Sequence, residues 1–357
     1  MKQSQSNYKR IVVKIGSSLM YSKDNKLDVA RIHAVSRQVA ELLKDKKEVI
    51  IVSSGAIAMG MGVLKLDSRP RQLHILQACA AIGQNKLMNF YSQYFKKYSL
   101  VCAQVLLTWD DVSQRERYLN AKNTLLSLLK LGVVPVINEN DTVATDEIKF
   151  GDNDRLSSLV AGLVGADLLV ILSDVDGLLD KDKKTVVGLV EEITPSVRAL
   201  ACPTNKSRCV GGMVTKLDAA GICVDSGIPC VITNGRKNDS ILNALKAQGT
   251  FFAPKKDFFA ARKHWLAFSA KPQGKIIVDD GAKQALLNNK SLLAVGVLSC
   301  AGDFKPDDIV SIMDSAGGQL AKGKTSVSSI DLCQVKGKRF NREVVHRDNL
   351  VITQGEK

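Results

Sequence analysis

The stretch "VVPVINENDTVATDEIKFGDNDRLSSLVAGLVGADLLVILSD" (133–174) sets the architecture. Its opening, "VVPVINEN", reads as a buried strand. "DRLSSLVAGLVGA" reads as an apolar helix, and "DLLVILSD" as a second buried strand. Two strands joined through a helix run parallel, and the loop between them falls at the carboxyl end of the first strand. That loop carries Glu139, Asp141, Asp146, Glu147, Asp152 and Asp154, interleaved with Asn138, Asn140 and Asn153. The whole chain has a formal net charge of +14, so this acidic, amide-rich loop runs against the general composition.

The same alternation extends outward in both directions. "KRIVVKIG" (9–16) is a strand, followed by a helix with Ile32, Val35, Val39, Leu42 and Leu43 at helical spacing. "EVIIVSSG", "VCAQVLL" and "IPCVITNG" are further strands. The helical patterns "RQLHILQACAAIGQNKLMNFYSQYFKKYS", "ERYLNAKNTLLSLLKLG", "MVTKLDAAGICVDSG" and "DSILNALKAQG" lie among them. Strand alternating with helix predicts a three-layer α/β/α domain with a mostly parallel sheet. The pattern changes after residue 250. "PKKDFFAARKHWLAFSAKPQ" (254–273) is aromatic and basic, and the short runs "GKIIVDD", "LLAVGVLSC", "DIVSIMD" and "EVVHRDNLVI" follow, separated by turn signals. The expected organisation is an α/β domain over 1–253, a basic linker over 254–273 and a small β-rich domain over 274–357.

Composition narrows the function classes. At 357 residues about two domains are expected. The N-terminal residues are polar and basic, without a secretory pattern, and apolar runs such as "LLVIL" (168–172) are too short to cross a bilayer. A cytoplasmic protein is the expectation. The eight cysteines form no C-x-x-C pair, which favours thiols over a metal or disulfide framework. From Gly274 onward twelve Lys/Arg face ten Asp/Glu, so the excess positive charge belongs to residues 1–273, where part of it sits in the 254–273 segment and the rest is scattered along predicted helix faces. Scattered charge is a solvated surface rather than a nucleic-acid footprint.

In a parallel sheet the residues after each strand line the ligand crevice. Here they are Lys14 and Gly16; Ser53, Ser54 and Gly55; "NENDTVAT"; and Ser173 and Asp174. Later, "VGGMVTK" (210–216) sets two glycines before a helix that carries Lys216. Glycine-rich turns at helix starts offer N–H groups to phosphate, and two lysines on different elements could bracket a transferring phosphoryl group. Neither a P-loop nor a G-x-G-x-x-G fingerprint is present. "DNDR" and "DVDG" begin like calcium loops but do not continue as one. Asn and Asp after a buried strand suit a zwitterion, because a carboxylate accepts from an ammonium and an amide donates to a carboxyl.

The motifs "VVKIGSS" (12–18), "IVSSGAIAMG" (51–60), "VVPVINENDTVAT" (133–145), "FGDNDRLSSLVA" (150–161), "GGMVTKLDAA" (211–220) and "VHRDNLV" (345–351) carry a resemblance over nearly the full chain. The sequence resembles the glutamate 5-kinases of the amino acid kinase family, with a C-terminal PUA domain. The resemblance implies ATP-dependent phosphorylation of the γ-carboxylate of L-glutamate, the first step of proline synthesis, with Mg2+ accompanying the nucleotide. It implies that Lys14 and Lys216 neutralise charge on the phosphoryl group and that Asp154 orients them. It gives Ser54, Asp141 and Asn153 to glutamate. It gives Ser173, Asp174, Val210, Gly211, Gly212, Met213, Val214 and Thr215, with Lys14 and Lys216, to ATP. It assigns no protein-held metal. Proline as feedback inhibitor, glutamyl phosphate reductase as partner and a homo-oligomeric state are family traits.

Two departures stand out. Cys209-Val210 replaces the small polar pair expected before the glycines, which removes a hydroxyl from the ATP turn. The second domain is short, with only 324–343 between its middle strands and "VHRDNLV". PUA domains elsewhere often bind RNA, but "KGKRFNR" (336–342) reads as a solvated hairpin. The alternatives are another amino acid kinase, acting on acetylglutamate, aspartate or UMP, and an RNA-binding protein acting through the second domain.

Overall fold

Five of the six residues of strand β1 (Arg10–Ile15) are buried, which places it inside a sheet covered on both faces. The structure is a computed structural model that describes residues 8–20, 28–144, 153–182, 184–201, 212–255, 263 and 265–353. After β1 come α1 (Val29–Lys44), β2 (Glu48–Ser53), α2 (Ala56–Val63), α3 (Leu73–Lys96), β3 (Cys102–Leu107), α4 (Trp109–Ser113), α5 (Arg115–Lys130) and β4 (Val134–Glu139). Then follow α6 (Asn153–Val164), β5 (Leu168–Ser173), β6 (Leu189–Val190), α7 (Pro195–Leu200), α8 (Met213–Asp225), β7 (Cys230–Asn234), α9 (Ser240–Ala244) and β8 (Thr250–Phe252).

The eight strands lie in the order β3-β4-β2-β1-β5-β7-β8-β6. All pairs are parallel except β7 with β8. β2, β3 and β4 lie on one side of β1, and β5 and β7 on the other, so the strand order reverses at β1. Ligand crevices form at such reversals, beyond the carboxyl ends of the strands.

Side chains alternate across a strand, and the two faces of β1 have different partners. Ile11, Val13 and Ile15 share a core with Ile32, Val35, Val39 and Leu42 of α1 and with Leu87, Tyr91 and Phe95 of α3. Val12 and Lys14 point the opposite way, toward the layer where α6 packs on β1 and against α8. The sheet is therefore the middle of three layers. The edge strand β6 and its neighbour β8 are short elements that the sequence reading did not separate from loop. The pattern read through "DSILNALKAQG" closes after one turn, at Ala244, and Ala247 then takes a positive φ.

The chain divides into two units, Met1–Val112 with Glu116–Phe258, and Phe259–Lys357 with Ser113–Arg115. In the second unit the six strands β9 (Gly274–Val278), β10 (Leu292–Leu293), β11 (Val297–Ala301), β12 (Ile309–Met313), β13 (Gln319–Thr325) and β14 (Glu343–Ile352) take the order β10-β14-β13-β12-β9-β11. They close over Ile276, Val278, Phe304, Ile312, Leu332 and Val344. β13 was not among the expected strands. Two helices were also unexpected, Asp280–Leu287 and Ser329–Val335, capped by the side chains of Asp279 and Ser328. The π-helix Trp265–Ser269 is buried, although it lies in the segment expected as a basic linker.

Helices α2 and α3 touch backbone to backbone. A Cβ on Gly83 would fall 1.8 Å from the Ala56 carbonyl oxygen, and one on Gly60 1.8 Å from that of Cys79. This contact fixes α2, which begins immediately after Ser54 and Gly55. Gly83→Ala should force the helices apart and destabilise the fold by about 1–3 kcal/mol. Gly62→Ala in α2, where a Cβ meets nothing within 4 Å, should be neutral or slightly stabilising. Urea unfolding of the two variants beside the parent checks the difference.

Candidate active site

Lys14 comes from β1, Asp154 from the first turn of α6 and Lys216 from the first turn of α8. All three are buried. The Lys14 Nζ lies 2.6 Å from Asp154 Oδ1, and the Lys216 Nζ 3.3 Å from Asp154 Oδ2. The Thr215 hydroxyl donates to Asp154 Oδ2 at 2.8 Å. One carboxylate thus bridges two ammonium groups that arrive from separate elements. Burial alone pushes the Asp154 carboxyl up, but Lys14, Lys216 and the Thr215 hydroxyl outweigh it and hold the group below the usual aspartate range.

A second set of polar groups lies beside this trio. Asn153 Nδ2 donates to the Ser54 hydroxyl at 2.8 Å and to Asn138 Oδ1 at 3.0 Å. Asn138 Nδ2 donates to Gln84 Oε1 at 2.9 Å. The Glu139 backbone N–H donates to Asn138 Oδ1 at 2.9 Å, which fixes the orientation of that amide. The polarity of the ladder then follows, because Asn153 must present its NH2 to Asn138 and its oxygen elsewhere. Asn153 Oδ1 is buried and, among the described residues, has no donor. Asp141 is half-buried just beyond β4. Burial pushes its carboxyl up to about 6, against the opposing pull of Arg69.

The remaining candidate residues are distributed as follows. Ser173 ends β5 and is buried, with its hydroxyl 3.3 Å from Asp174 Oδ1. Gly212 is the N-cap of α8, without a side-chain cap. Met213, Val214 and Thr215 form the first turn of that helix, and the Thr215 hydroxyl also lies 2.9 Å from the Gly212 carbonyl. Val210 and Gly211 lie outside the described residues, as do Asp146, Glu147 and Asp152 of the acidic loop.

Several contributors were not singled out from the sequence. Gln84 and Asn138 hold Asn153 in place. Tyr91 sits under the second strand end, its hydroxyl 2.9 Å from that of Ser53. Arg155, next to Asp154, stacks over the Trp109 ring at 4.4 Å. Asn138 lay in plain view in "VINEN", but the pairing with Gln84 joins residues 54 positions apart and has no local signature.

A lysine on each side of a carboxylate, next to a helix start, can receive a polyphosphate. Both lysines can approach the same phosphoryl oxygen region, with the Asp154 carboxylate between them. Among the described residues no group of three or more His, Cys, Asp or Glu gathers to hold a metal ion. No described helix is long and apolar enough to cross a membrane.

The amino acid kinase family model matches residues 9–234, and the PUA domain model residues 274–346. Glutamate 5-kinase from Caldanaerobacter subterraneus subsp. tengcongensis is 45% identical, covering 98% of this chain and 99% of its own. The glutamate 5-kinase of Carboxydothermus hydrogenoformans is also 45% identical, covering 99% of this chain and 100% of its own. Carbamate kinase from Giardia shares the fold of the first domain, with a TM-score of 0.50 at 18% identity over 70% of this chain and 100% of that one.

Asp154→Asn leaves two buried ammonium groups without their shared carboxylate. Losing one partner of a buried pair costs about 3–5 kcal/mol, which equilibrium unfolding at pH 7 should show. The pH dependence has a definite sign. The folded carboxyl titrates below its unfolded value, so on acidification the unfolded chain takes up this proton first. The stabilisation is complete above about pH 4 and disappears as pH falls through the folded value. Thermal unfolding between pH 7 and pH 3 should show this decline in the parent, with a shallower slope in the variant.

Proposed function

The chain belongs to the glutamate 5-kinase family of amino acid kinases, and we propose how its own residues carry that family's reaction. It transfers the terminal phosphoryl group of ATP to the side-chain carboxylate of L-glutamate, giving L-glutamyl 5-phosphate for proline biosynthesis. The observation that carries the assignment of roles is the Asp154 carboxylate bridging Lys14 and Lys216 at the carboxyl edge of a parallel sheet.

A carboxylate nucleophile is already ionised at pH 7, so no general base is needed. One of its oxygens attacks the γ-phosphorus as the bond to the ADP oxygen breaks, and charge accumulates on the phosphoryl oxygens. Positioning and charge stabilisation are then the main demands on the protein. Lys14 and Lys216 meet that charge, and Asp154 holds both ammonium groups in register. ATP lies along Ser173, Asp174 and the 210–216 turn, with its phosphates toward the start of α8. Mg2+ bound with the nucleotide would supply charge neutralisation at its phosphates, while both oxygens of Asp154 are engaged by lysine and threonine.

Glutamate is held by Ser54, Asp141 and Asn153. The ladder polarity supports a specific part for Asn153. Its Oδ1, facing away from Asn138, accepts from the substrate ammonium, and Asp141 accepts from the same group. Proline carries a similar ammonium and carboxylate, so it competes at this position as a feedback inhibitor. Acyl phosphates are labile, which favours direct use of the product by a glutamyl phosphate reductase. A homo-oligomeric state is part of the same proposal.

An ADP-release assay across glutamate, acetylglutamate, aspartate and UMP, with and without proline, tests the reading. Turnover on glutamate that proline suppresses by raising KM supports it, and turnover on UMP alone would overturn it. Lys14→Ala should lower kcat by roughly 10²–10³, with little change in glutamate KM. If ionised Asp141 binds the ammonium, glutamate KM should fall as pH rises through about 6, the value to which burial raises this group. Steady-state kinetics from pH 5 to 8 should show that fall in the parent and a high, flat KM in Asp141→Asn.

A further inference from the structure

The second unit contains a feature that phosphoryl transfer does not use. Cys300 lies on β11, and Cys333 lies on the helix Ser329–Val335 that packs against it. Their Sγ atoms are 3.0 Å apart, closer than two non-bonded sulfurs ordinarily rest. The Cys300 sulfur also lies 3.9 Å from the Ser329 carbonyl oxygen, so both ends of the contact are set by the packing of helix on strand. Cys333 is exposed and Cys300 half-buried. The other described cysteines differ in setting. Cys79, Cys223 and Cys230 are buried, and Cys102 lies on β3 of the first unit.

We propose that Cys300 and Cys333 form a reversible dithiol–disulfide pair that reacts with small-molecule disulfides. The exposed Cys333, as thiolate, attacks one sulfur of the reagent. The reagent's S–S bond breaks, a mixed disulfide forms and one thiol leaves. Cys300 then attacks the Cys333 Sγ, closing the protein disulfide and expelling the second thiol. Two protein thiols are oxidised, one reagent disulfide is reduced to two thiols, and the two protein protons end on the departing sulfurs.

The order of attack follows from the surroundings. Burial, together with the neighbouring Cys333, pushes the Cys300 thiol up to about 11, with Lys336 opposing. Cys300 is thus a poor nucleophile toward reagents in solution but is already in place to resolve a mixed disulfide on its neighbour. The bond would tie the helix to β11 and close a loop that contains β12 and β13. Among the described residues no third ligand joins the pair to make a metal site.

The test uses the full-length chain, reduced, desalted and treated with oxidised glutathione. Alkylation and peptide mapping without reductant then read the sulfur state. The expected result is a Cys300–Cys333 cross-linked peptide that dithiothreitol reverses. Cys300→Ser should instead keep glutathione on Cys333, and Cys333→Ser should leave Cys300 as the free thiol. Stable glutathione on Cys333 of the parent, linkage of either cysteine elsewhere, or two unmodified thiols would each overturn the proposal.

Discussion

One carboxylate, Asp154, carries the arrangement of the candidate site. Moving two ammonium groups and a carboxylate out of water is expensive, and apolar residues of the same volume would generally be at least as stable there. The trio is therefore poorly explained as a stabilising device. Its value lies in geometry. Lys14 is fixed on a central strand, while Lys216 sits on a helix that follows a glycine turn. Without Asp154 between them, mutual repulsion would drive one of the two lysines toward solvent. With it, both Nζ atoms rest against one carboxylate, at 2.6 and 3.3 Å. Thr215, bonded to the same carboxylate oxygen as Lys216, ties the start of α8 directly to α6.

The placement of Lys14 depends in turn on sheet register. Lys14 pairs with Val52 on one side and Ile171 on the other. A slip of one residue would turn Lys14 into the apolar layer shared with α1 and α3 and expose valines to the site. The apolar residues on both faces of β1 thus specify the position of Lys14 as firmly as they specify the core. The same parity places Ser53 over Tyr91 of α3, while the chain turns through Ser54 into α2. The glycine contact between α2 and α3 then fixes where that turn can lie.

Much of this was legible in the sequence because it is local or periodic. Alternating apolar runs and helical spacing indicate the central strands and the three layers, and the short motifs after each strand mark the crevice. Other features rest on contacts that no short window contains. The two-residue β6 and the antiparallel β8 exist because a sheet edge is available to them. β13, "QLAKGKT", is half polar and resembles loop until its antiparallel neighbours β12 and β14 are known. The link from Asn153 through Asn138 to Gln84 joins three elements far apart in sequence. That link also changes the expected chemistry of one residue. An asparagine near a zwitterion reads as a donor to its carboxyl group, whereas the ladder commits this NH2 to protein acceptors and leaves its buried oxygen, among the described residues, without a donor.

That reversal bears on how the substrate is distinguished. A pocket that reads an ammonium through a carboxylate and an amide oxygen leaves acceptors without partners when the ammonium is missing or acylated. Unpaired buried acceptors are costly, so such a site rejects the wrong ligand more strongly than it rewards the right one. Acetylglutamate, whose nitrogen is an amide with one N–H and no charge, could not satisfy both Asp141 and Asn153. The raised titration of Asp141 strengthens the effect, since in the empty site this carboxyl resists ionising and an arriving cation favours its charged form. Selection of a free amino acid would then come from the same burial that perturbs the residue, and the phosphoryl-transfer machinery around Asp154 could stay common to kinases with other acceptors.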